Sequence, residues 1–353
     1  MKKMIFASVT ILLALLISFG FMEAVLRIIG YKPAYVNPLP AFHQGDPVLG
    51  WVGVPGFSAR FKRGDFDVFI SMNDEGFRKS ECNIKPDPTA RKIMFLGDSF
   101  TWGWGLEQGR VFTDILQDEL GPGFHIINRG VNAYGTVQQK LLLEREIGAE
   151  KPTLVVLMFY LNDYDDNLDP DDLQRPYCSV DNGKVVVRNS PVLKPLGETY
   201  SPAIRISYAA SLLTYYGDYF IRLAKRVLSS EKVRNRDITG LEPEIVAVAD
   251  QVISEMKGIC DSQGADFALL YVPSADEMES EDESVYLSTL KKICTAHDIE
   301  LLDFVSTFKT AEAELKKKGE SLFFRNDKHW TAGGHRLAAS LLLDHIGQHP
   351  ISR

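Results

Sequence analysis

The sequence contains few cysteines and no excess of positive charge. Four cysteines in 353 residues are too few for a disulfide scaffold, and none of them form a C-x-x-C metal or redox motif. Cys260 and Cys294 lie in helical patterns that precede strands; a bridge between them is open, but we favour two buried thiols. The net charge of -8, with no lysine- or arginine-rich run, argues against a nucleic-acid partner. Internal repeats, low-complexity tracts and H-x-x-x-H motifs are also absent, so we expect neither a catalytic metal nor a cofactor.

The chain has one long hydrophobic run, at its N-terminus. Uncharged apolar residues extend from Met4 to Met22, directly after Lys2 and Lys3. This length is just sufficient to cross the hydrocarbon core of a bilayer, which is about 30 Å thick. A cleaved signal peptide is the alternative, but the run does not end in an A-x-A pattern. We therefore favour an uncleaved, single-pass signal anchor over residues 1–30, with the rest of the chain on the periplasmic or extracellular side.

The chain after the anchor divides into two parts. Residues 31–90 are rich in glycine, proline and aromatic residues, and short alternating runs predict a small β-rich lead-in. In residues 91–353, apolar strands alternate with amphipathic helices, which predicts a parallel sheet covered by helices on both faces. The predicted strands are Ile93–Leu96, His125–Asn128, Leu154–Tyr160, Phe267–Val272 and Glu300–Leu302; the predicted helices are Leu106–Leu120, Val137–Ile147, Glu244–Cys260, Ser284–Ala296 and Ala332–Ile346.

One connection, at about residues 165–243, is far longer than usual. Its acidic start lacks the glycine and distal glutamate of a calcium loop, so we interpret it as a solvated loop. Loops beyond strand ends shape substrate pockets, so the insertion is a candidate lid or membrane-contacting element. A helix packed on the core by its apolar face is an equally open alternative. The side chains of that face are Leu212, Tyr216, Tyr219, Phe220, Leu223 and Val227.

Polar residues suited to nucleophilic catalysis follow the predicted strands. Ser99 comes directly after the first strand, and a serine nucleophile needs a base, an acid that orients the base, and donors for the oxyanion. Asp327 and His329 supply the acid and the base, in the order Ser…Asp…His that one group of triads shows. Asn162 at the end of the third strand is a candidate side-chain donor, and the loop after the second strand is a candidate source of a backbone donor.

These segments together resemble the SGNH, or GDSL-type, hydrolase family, and the anchor and lead-in look like a membrane-attached bacterial branch of it. The resemblance implies a flavodoxin-like three-layer α/β/α sandwich with a central parallel sheet. It assigns the nucleophile to Ser99, the acid and base to Asp327 and His329, and a side-chain oxyanion donor to Asn162. The backbone donor of the second family block corresponds to Ala133, with Gly135 as the fallback.

Two positions depart from the family pattern. Tyr160 stands where the block containing Asn162 normally has glycine, and Ala133 replaces the glycine of the second block. An alanine N–H serves as well as a glycine N–H if its φ is negative, so we expect Ala133 to retain the donor with an ordinary backbone. Tyr160 is expected to change the shape of the pocket more than its chemistry.

The function implied is a membrane-anchored serine esterase or deacetylase that acts on an exported ester-bearing small molecule or glycan. One alternative is an O-acyltransferase that passes the acyl group to an exported polysaccharide, which the anchor and the long insertion suggest. Another is an inactive glycan-binding or assembly protein, which the two departures suggest. The sequence does not distinguish the acyl group or the alcohol of the substrate.

Overall fold

The computed structural model describes residues 2–29, 42–168, 174–193, 207–210, 212–213, 217 and 240–348. The strands are β1 (His43–Asp46), β2 (Gly50–Gly53), β3 (Ser58–Lys62), β4 (Asp67–Ser71), β5 (Arg91–Gly97), β6 (Phe124–Gly130), β7 (Leu154–Phe159), β8 (Tyr177–Asp181), β9 (Lys184–Arg188), β10 (Asp266–Tyr271) and β11 (Glu300–Asp303). The α-helices are α1 (Lys2–Ile28), α2 (Ser99–Trp102), α3 (Phe112–Leu120), α4 (Thr136–Glu150), α5 (Asp163–Asp166), α6 (Pro243–Ser262), α7 (Val285–Ala296), α8 (Val305–Lys316) and α9 (Ala332–Gln348).

A five-stranded parallel sheet forms the centre of the protein, in the order β11-β10-β7-β5-β6. This is the flavodoxin-like strand order, whose crevice lies where the order reverses, between β5 and β7. Successive side chains of a strand point to opposite faces, so Met94 and Leu96 pack towards α4, α6 and α7. Ile93 and Phe95 pack towards α3, α8 and α9 on the other face. The predicted parallel sheet in a three-layer α/β/α sandwich is confirmed.

The segment after β5 differs from the prediction. No helix begins near Gly105; α2 begins at Ser99, and the next helix, α3, begins only at Phe112. The Asp98 side chain caps α2 by accepting the N–H of Phe100 at 2.9 Å, and Gly103, at φ 86°, ends it in the left-handed conformation. Gly105 also has a positive φ, of 76°, and Phe66 leaves no room there for a Cβ. The chain therefore forms a tight turn where apolar periodicity alone predicted a helix.

The helix α8 and the hairpin of β8 and β9 were also not predicted. The helix α8 buries only Val305, Phe308 and Glu312, so its apolar face is too short to give a clear helical period. Within the predicted insertion, β8 and β9 form an antiparallel hairpin. Apart from Leu212, the side chains proposed to form an apolar helical face there lie outside the described residues.

The lead-in forms two antiparallel hairpins, β1–β2 and β3–β4. Its aromatic core is continuous with the segment after β5, because Phe61 and Phe66 join a cluster that includes Trp102. The half-buried rings of Trp104 and Phe324 pack on the same cluster. The β3–β4 hairpin therefore lies against both the turn after α2 and the loop before α9.

The helix α1 has the length and composition of a membrane anchor or a signal peptide, since residues Phe6–Ile28 are long and apolar enough to cross a bilayer. Most of its side chains are exposed, as expected of a helix outside the globular core. Its last turns contact the insertion: Glu23 accepts hydrogen bonds from the Ser207 hydroxyl at 2.9 Å and the Ala209 N–H at 2.8 Å. The guanidinium of Arg27 lies 4.4 Å from the centre of the Tyr208 ring.

All four cysteines are free thiols, and Cys260 and Cys294 are buried. Burial raises the pKa of each of these two thiols to about 12, so they are protonated and unreactive at neutral pH. The preference for buried thiols over a bridge is confirmed.

Candidate active site

Ser99 lies at the carboxyl end of β5, where open α/β sheets bind their ligands. Gly97 closes the strand, and its carbonyl accepts the N–H of Val131 at 3.1 Å, which joins the ends of β5 and β6. Gly130 is required at the end of β6, because a Cβ there would collide with the backbone nitrogen of Trp102. The close fit of α2 against this edge holds the Ser99 side chain at the rim of the crevice.

The loop between α8 and α9 brings His329 to Ser99, although 230 residues separate them in the chain. The Ser99 Oγ lies 2.7 Å from His329 Nε2, and the other ring nitrogen, Nδ1, is hydrogen-bonded to Asp327 Oδ1. The sequence-predicted serine, histidine and aspartate therefore lie in one hydrogen-bonded chain. In such a chain, a carboxylate beside Nδ1 keeps the proton there and leaves Nε2 free to accept one.

Two aromatic rings enclose the His329 imidazole. The Phe100 ring lies 4.7 Å from it at 31°, and the Trp104 ring is stacked on it at 5.5 Å and 29°. Trp104 also donates its Nε1–H to Asp327 Oδ2 at 3.1 Å. Sequence reasoning missed Trp104; its place five residues after Ser99, in a run rich in aromatic residues, is the only signal that could have indicated it.

The Asp327 carboxyl is poised to remain ionised. Burial alone would raise its pKa, but the hydrogen bond to His329, the charge of that ring and the Trp104 N–H together lower the pKa below the usual 3.8. A carboxylate that accepts several hydrogen bonds keeps its charge more readily, because each donor stabilises the ionised form. Asp327 is therefore an anion throughout the neutral range.

Asn162 follows β7, the strand beside β5, so it lies on the same edge of the sheet as Ser99. Its Nδ2 donates one hydrogen to Asp166 Oδ2 at 2.8 Å, which leaves the second hydrogen of the amide available. Asp166 is in turn paired with Arg175 at 3.4 Å. One amide hydrogen of Asn162 is thus used within α5, and only the other is available for a ligand.

The two backbone candidates differ. Gly135 already donates its N–H to Gln138 Oε1 at 3.2 Å, so the fallback position is occupied. Ala133 is exposed, and among the hydrogen bonds of the described residues its N–H has no protein acceptor. The expectation of a negative φ at Ala133 is wrong, because φ is 60°. The loop after β6 turns sharply there, with the Tyr134 N–H bonded to the Val131 carbonyl, and this turn needs a left-handed residue.

The left-handed conformation of Ala133 predicts how a substitution there changes the free energy of unfolding. We expect Ala133→Gly to stabilise the protein by about 0.5–1 kcal/mol, because relief of the left-handed strain exceeds the extra chain entropy of glycine. The matched control is Ala247→Gly, at an exposed position in the interior of α6, where the same change should cost about 0.5–1 kcal/mol. Urea unfolding measures both; destabilisation of similar size at the two positions would contradict the prediction.

Asp98 and Asp163 are buried beneath the site and act as hydrogen-bond acceptors. Asp98 caps α2, and Asp163 accepts hydrogen bonds from Thr136, Gln139 and the Tyr160 N–H. Burial raises the pKa of Asp98 from 3.8 to about 6, although the Phe100 hydrogen bond and the His329 charge act in the opposite direction. Burial and the neighbouring Asp98 also raise the pKa of Asp163. The two carboxyls therefore favour holding at least one proton.

The raised pKa of Asp98 makes stability depend on pH. A carboxyl whose pKa is higher in the folded protein than in the unfolded chain contributes its full stabilisation below pH 3.8. This contribution is lost as the pH rises through about 6. We expect Asp98→Asn, which keeps an acceptor for the helix cap, to remove this loss. The difference in the free energy of unfolding between the variant and wild type should therefore shift in favour of the variant by up to about 3 kcal/mol between pH 4 and pH 7. Urea unfolding across this range measures it. Parallel pH curves for Asp98→Asn, wild type and the exposed control Asp74→Asn would contradict the assignment.

Tyr160 occupies the position of the expected glycine and lies beside the site. Its half-buried ring packs on Phe100 at a centroid distance of 4.6 Å, and Phe100 in turn packs on His329. The Tyr160 ring therefore adds an aromatic surface near the imidazole, and among the described hydrogen bonds its side chain makes none to Ser99, His329 or Asp327.

A cavity of about 400 Å³ lies elsewhere, between the lead-in and the edge strand β6. Among the groups that line it, Arg129 is paired with Glu75 at 3.0 Å and with Glu150 at 2.7 Å. The polar groups that could carry out a reaction converge at Ser99, so we place the candidate site there and not in this cavity.

Comparison with known proteins identifies the family of the chain. The sequence matches the profile of the GDSL-like Lipase/Acylhydrolase family over residues 95–337, more than half of the chain. Comparison with curated proteins gives no match. Similar solved structures include a lipolytic G-D-S-L family protein from Veillonella parvula DSM 2008, at 13% identity and a TM-score of 0.41, covering 74% of this chain and 100% of that one. Another is the psychrotrophic esterase EstA from Pseudoalteromonas sp., at 14% identity and a TM-score of 0.40, covering 73% of this chain and 97% of that one. The match to the family profile shows that the chain belongs to the GDSL-like lipase/acylhydrolase family.

Proposed function

We propose that the protein is a serine esterase, anchored by α1, that hydrolyses an exported ester by way of an acyl-enzyme at Ser99. The observation that carries this proposal is the 2.7 Å contact between Ser99 Oγ and His329 Nε2, with Asp327 on the opposite nitrogen of the ring. Membership of an acylhydrolase family supports the reaction class. Esters fit this arrangement because a neutral imidazole can take the serine proton as the C–O bond forms.

In the first half of the reaction, Ser99 Oγ attacks the ester carbonyl and its proton passes to His329 Nε2. The tetrahedral intermediate then collapses, and the departing alkoxide takes that proton as the alcohol leaves. In the second half, water gives a proton to His329 Nε2 and attacks the acyl carbonyl. The bond from that carbon to Ser99 Oγ then breaks, the acid leaves, and His329 Nε2 returns the proton to Oγ. Asp327 holds the ring in the tautomer that leaves Nε2 unprotonated and stabilises the imidazolium that forms.

The oxyanion would be held by three donors at the ends of β5, β6 and β7. They are the N–H of Ser99, the N–H of Ala133 and the second amide hydrogen of Asn162. Among the hydrogen bonds of the described residues, the N–H of Ser99 in the first turn of α2 has no protein acceptor, and Asn162 has one hydrogen that Asp166 does not use. Preorganised donors of this kind stabilise the developing charge at no reorganisation cost during the reaction.

The two lysines before the apolar run support an exported orientation of the domain, and Arg27 and Lys32 after the run act in the opposite direction. Lys2 and Lys3 precede the apolar run, and positive charge is retained on the cytoplasmic side of a signal anchor. The domain that carries Ser99 would then face the periplasm or the exterior. Labelling of a cysteine introduced at the exposed Ser306, on intact cells and with a reagent that does not cross the inner membrane, tests this orientation.

A fluorophosphonate probe tests the proposed nucleophile. The probe transfers phosphorus to an activated serine oxygen and loses fluoride, and the adduct is located by mass spectrometry of peptides. We expect one adduct, on Ser99, in the full-length protein in detergent micelles, and none after His329→Ala. The buried Ser274 and the exposed Ser306 act as internal controls within the same digest. Labelling that persists after His329→Ala, or labelling at another serine, would count against the mechanism.

A further inference from the structure

The β3–β4 hairpin of the lead-in contacts the acid–base pair through a carboxylate. Asp65 lies half-buried in the turn of this hairpin. Its Oδ2 accepts the backbone N–H groups of Asn326 and Asp327, each at 2.8 Å, and its Oδ1 accepts the Asn326 side-chain N–H at 2.6 Å. One carboxylate therefore holds three donors of the loop that carries the acid.

The same hairpin supports Trp104 through its aromatic rings. The Phe61 ring lies 5.1 Å from the Trp104 ring, edge to face, and the Phe66 ring lies 6.2 Å from it. Trp104 in turn is stacked on His329 and donates to Asp327 Oδ2. The hairpin thus reaches the pair along two routes, one polar through Asp65 and one aromatic through Trp104.

The position of this hairpin explains why the two routes matter. The Phe324–Trp330 loop has a left-handed residue at Lys328, with φ 70°, and both Asp327 and His329 are partly exposed. Strained, exposed loops position side chains poorly unless neighbouring contacts hold them. In this loop, Asp65 holds the backbone N–H groups of Asn326 and Asp327. Trp104 is stacked on the imidazole of His329.

We infer that Asp65 and Trp104 are positioning residues, and that the lead-in completes the acid–base site by fixing His329 and Asp327 against Ser99. This rests on the proposed function for its catalytic consequence, while the geometry of the pair itself is measurable without turnover. Trp104 orients both partners at once, because its ring faces the imidazole while its N–H occupies the second oxygen of the carboxylate. Asp65 fixes the backbone on which that carboxylate stands.

The test compares matched substitutions in the full-length protein in detergent micelles. Trp104→Phe retains an aromatic ring but removes the N–H donor, and Trp102→Phe makes the same change in the same aromatic cluster without touching Asp327. Asp65→Ala removes the acceptor of the loop, Asp65→Asn retains an oxygen for the two backbone donors, and Asp67→Ala removes an exposed carboxylate from the same hairpin.

Two readouts are measured. One is the downfield proton resonance of the hydrogen bond between His329 Nδ1 and Asp327, which reports the pair independently of activity. The other is the rate of fluorophosphonate labelling of Ser99. We expect Trp104→Phe and Asp65→Ala to shift or broaden the resonance and to slow labelling about tenfold to 100-fold, as small displacements of catalytic groups do. Trp102→Phe and Asp67→Ala should change neither readout, and Asp65→Asn should restore most of the labelling rate.

The outcomes separate this inference from the proposed function. If Trp104→Phe and Asp65→Ala leave the resonance unchanged, or if their controls alter it equally, the positioning roles are overturned even when wild-type Ser99 is labelled. If wild-type Ser99 is not labelled, the proposed function fails, and the resonance still decides whether the two residues position the pair. If Asp65→Ala does not fold, Asp65→Asn takes its place, because loss of the acceptor for the Asn326 side chain should still shift the resonance, and an unchanged resonance overturns the role of Asp65.

Discussion

Ser99→Ala is expected to lower kcat/KM for a p-nitrophenyl ester by at least about 10⁴-fold, the size of loss that follows removal of a nucleophile. The hydroxyl is the group that would bond to the acyl group, and its oxygen lies 2.7 Å from the base, His329 Nε2. Binding should be little affected, because alanine removes one oxygen and adds no volume. The measurement is the initial rate of hydrolysis by purified full-length protein.

The control for this prediction is Ser306→Ala, a substitution of the same kind at an exposed position of α8. It should leave the rate within a factor of about two, as is usual for a surface change. A rate for Ser99→Ala close to that of Ser306→Ala would mean that ester hydrolysis occurs by another route.

Asp327→Asn is expected to lower kcat by about 10⁴-fold while leaving the fold intact. The reason is the donor on Trp104. Since Trp104 Nε1–H must face an acceptor, the asparagine oxygen would turn towards it, and the NH₂ group would turn towards His329 Nδ1. The ring would then carry its proton on Nε2, so the nitrogen that faces Ser99 could no longer accept the serine proton.

A double substitution separates this tautomer effect from simple loss of charge. In Asp327→Asn combined with Trp104→Phe, the N–H that fixes the amide is gone, so the amide can rotate and present its oxygen to His329 Nδ1. We expect the double variant to be more active than the Asp327→Asn variant, although each single change is harmful. Nuclear magnetic resonance of the imidazole nitrogens reports the tautomer directly. Losses that combine additively, with the proton on Nδ1 throughout, would contradict the explanation.

The strands and the order of the functional segments could be predicted from the sequence because each rests on a local signal. An apolar run such as Ile93–Leu96 predicts a buried strand, and the parallel alternation then brings the ends of β5 and β7 together. Ser99 and Asn162 share an edge of the sheet for that reason. The helix misplaced at Leu106 shows the limit, since Gly103 and Gly105 override an apolar pattern that is otherwise helical.

The supports of the site could not be predicted, because they depend on contacts between distant parts of the chain. Asp65 lies 262 residues from Asp327 and belongs to a hairpin whose sequence carries no catalytic signal. The positive φ of Ala133 is a property of the turn after β6, and an alanine gives no indication of it. Tertiary packing determines both the contacts of Asp65 and the backbone conformation of Ala133. A sequence pattern indicates such packing only where one residue type alone fits, as glycine does at Gly130.

The central claim is that Ser99 becomes acylated. The most direct measurement is acid quenching of the full-length protein a short time after mixing with p-nitrophenyl acetate, followed by mass spectrometry of the peptides. The account predicts an added acetyl group on Ser99 that disappears on longer incubation and does not form in His329→Ala. Released p-nitrophenol with no acetyl group on Ser99 at any time, or an acetyl group on a different side chain that forms and decays at the rate of turnover, would contradict it.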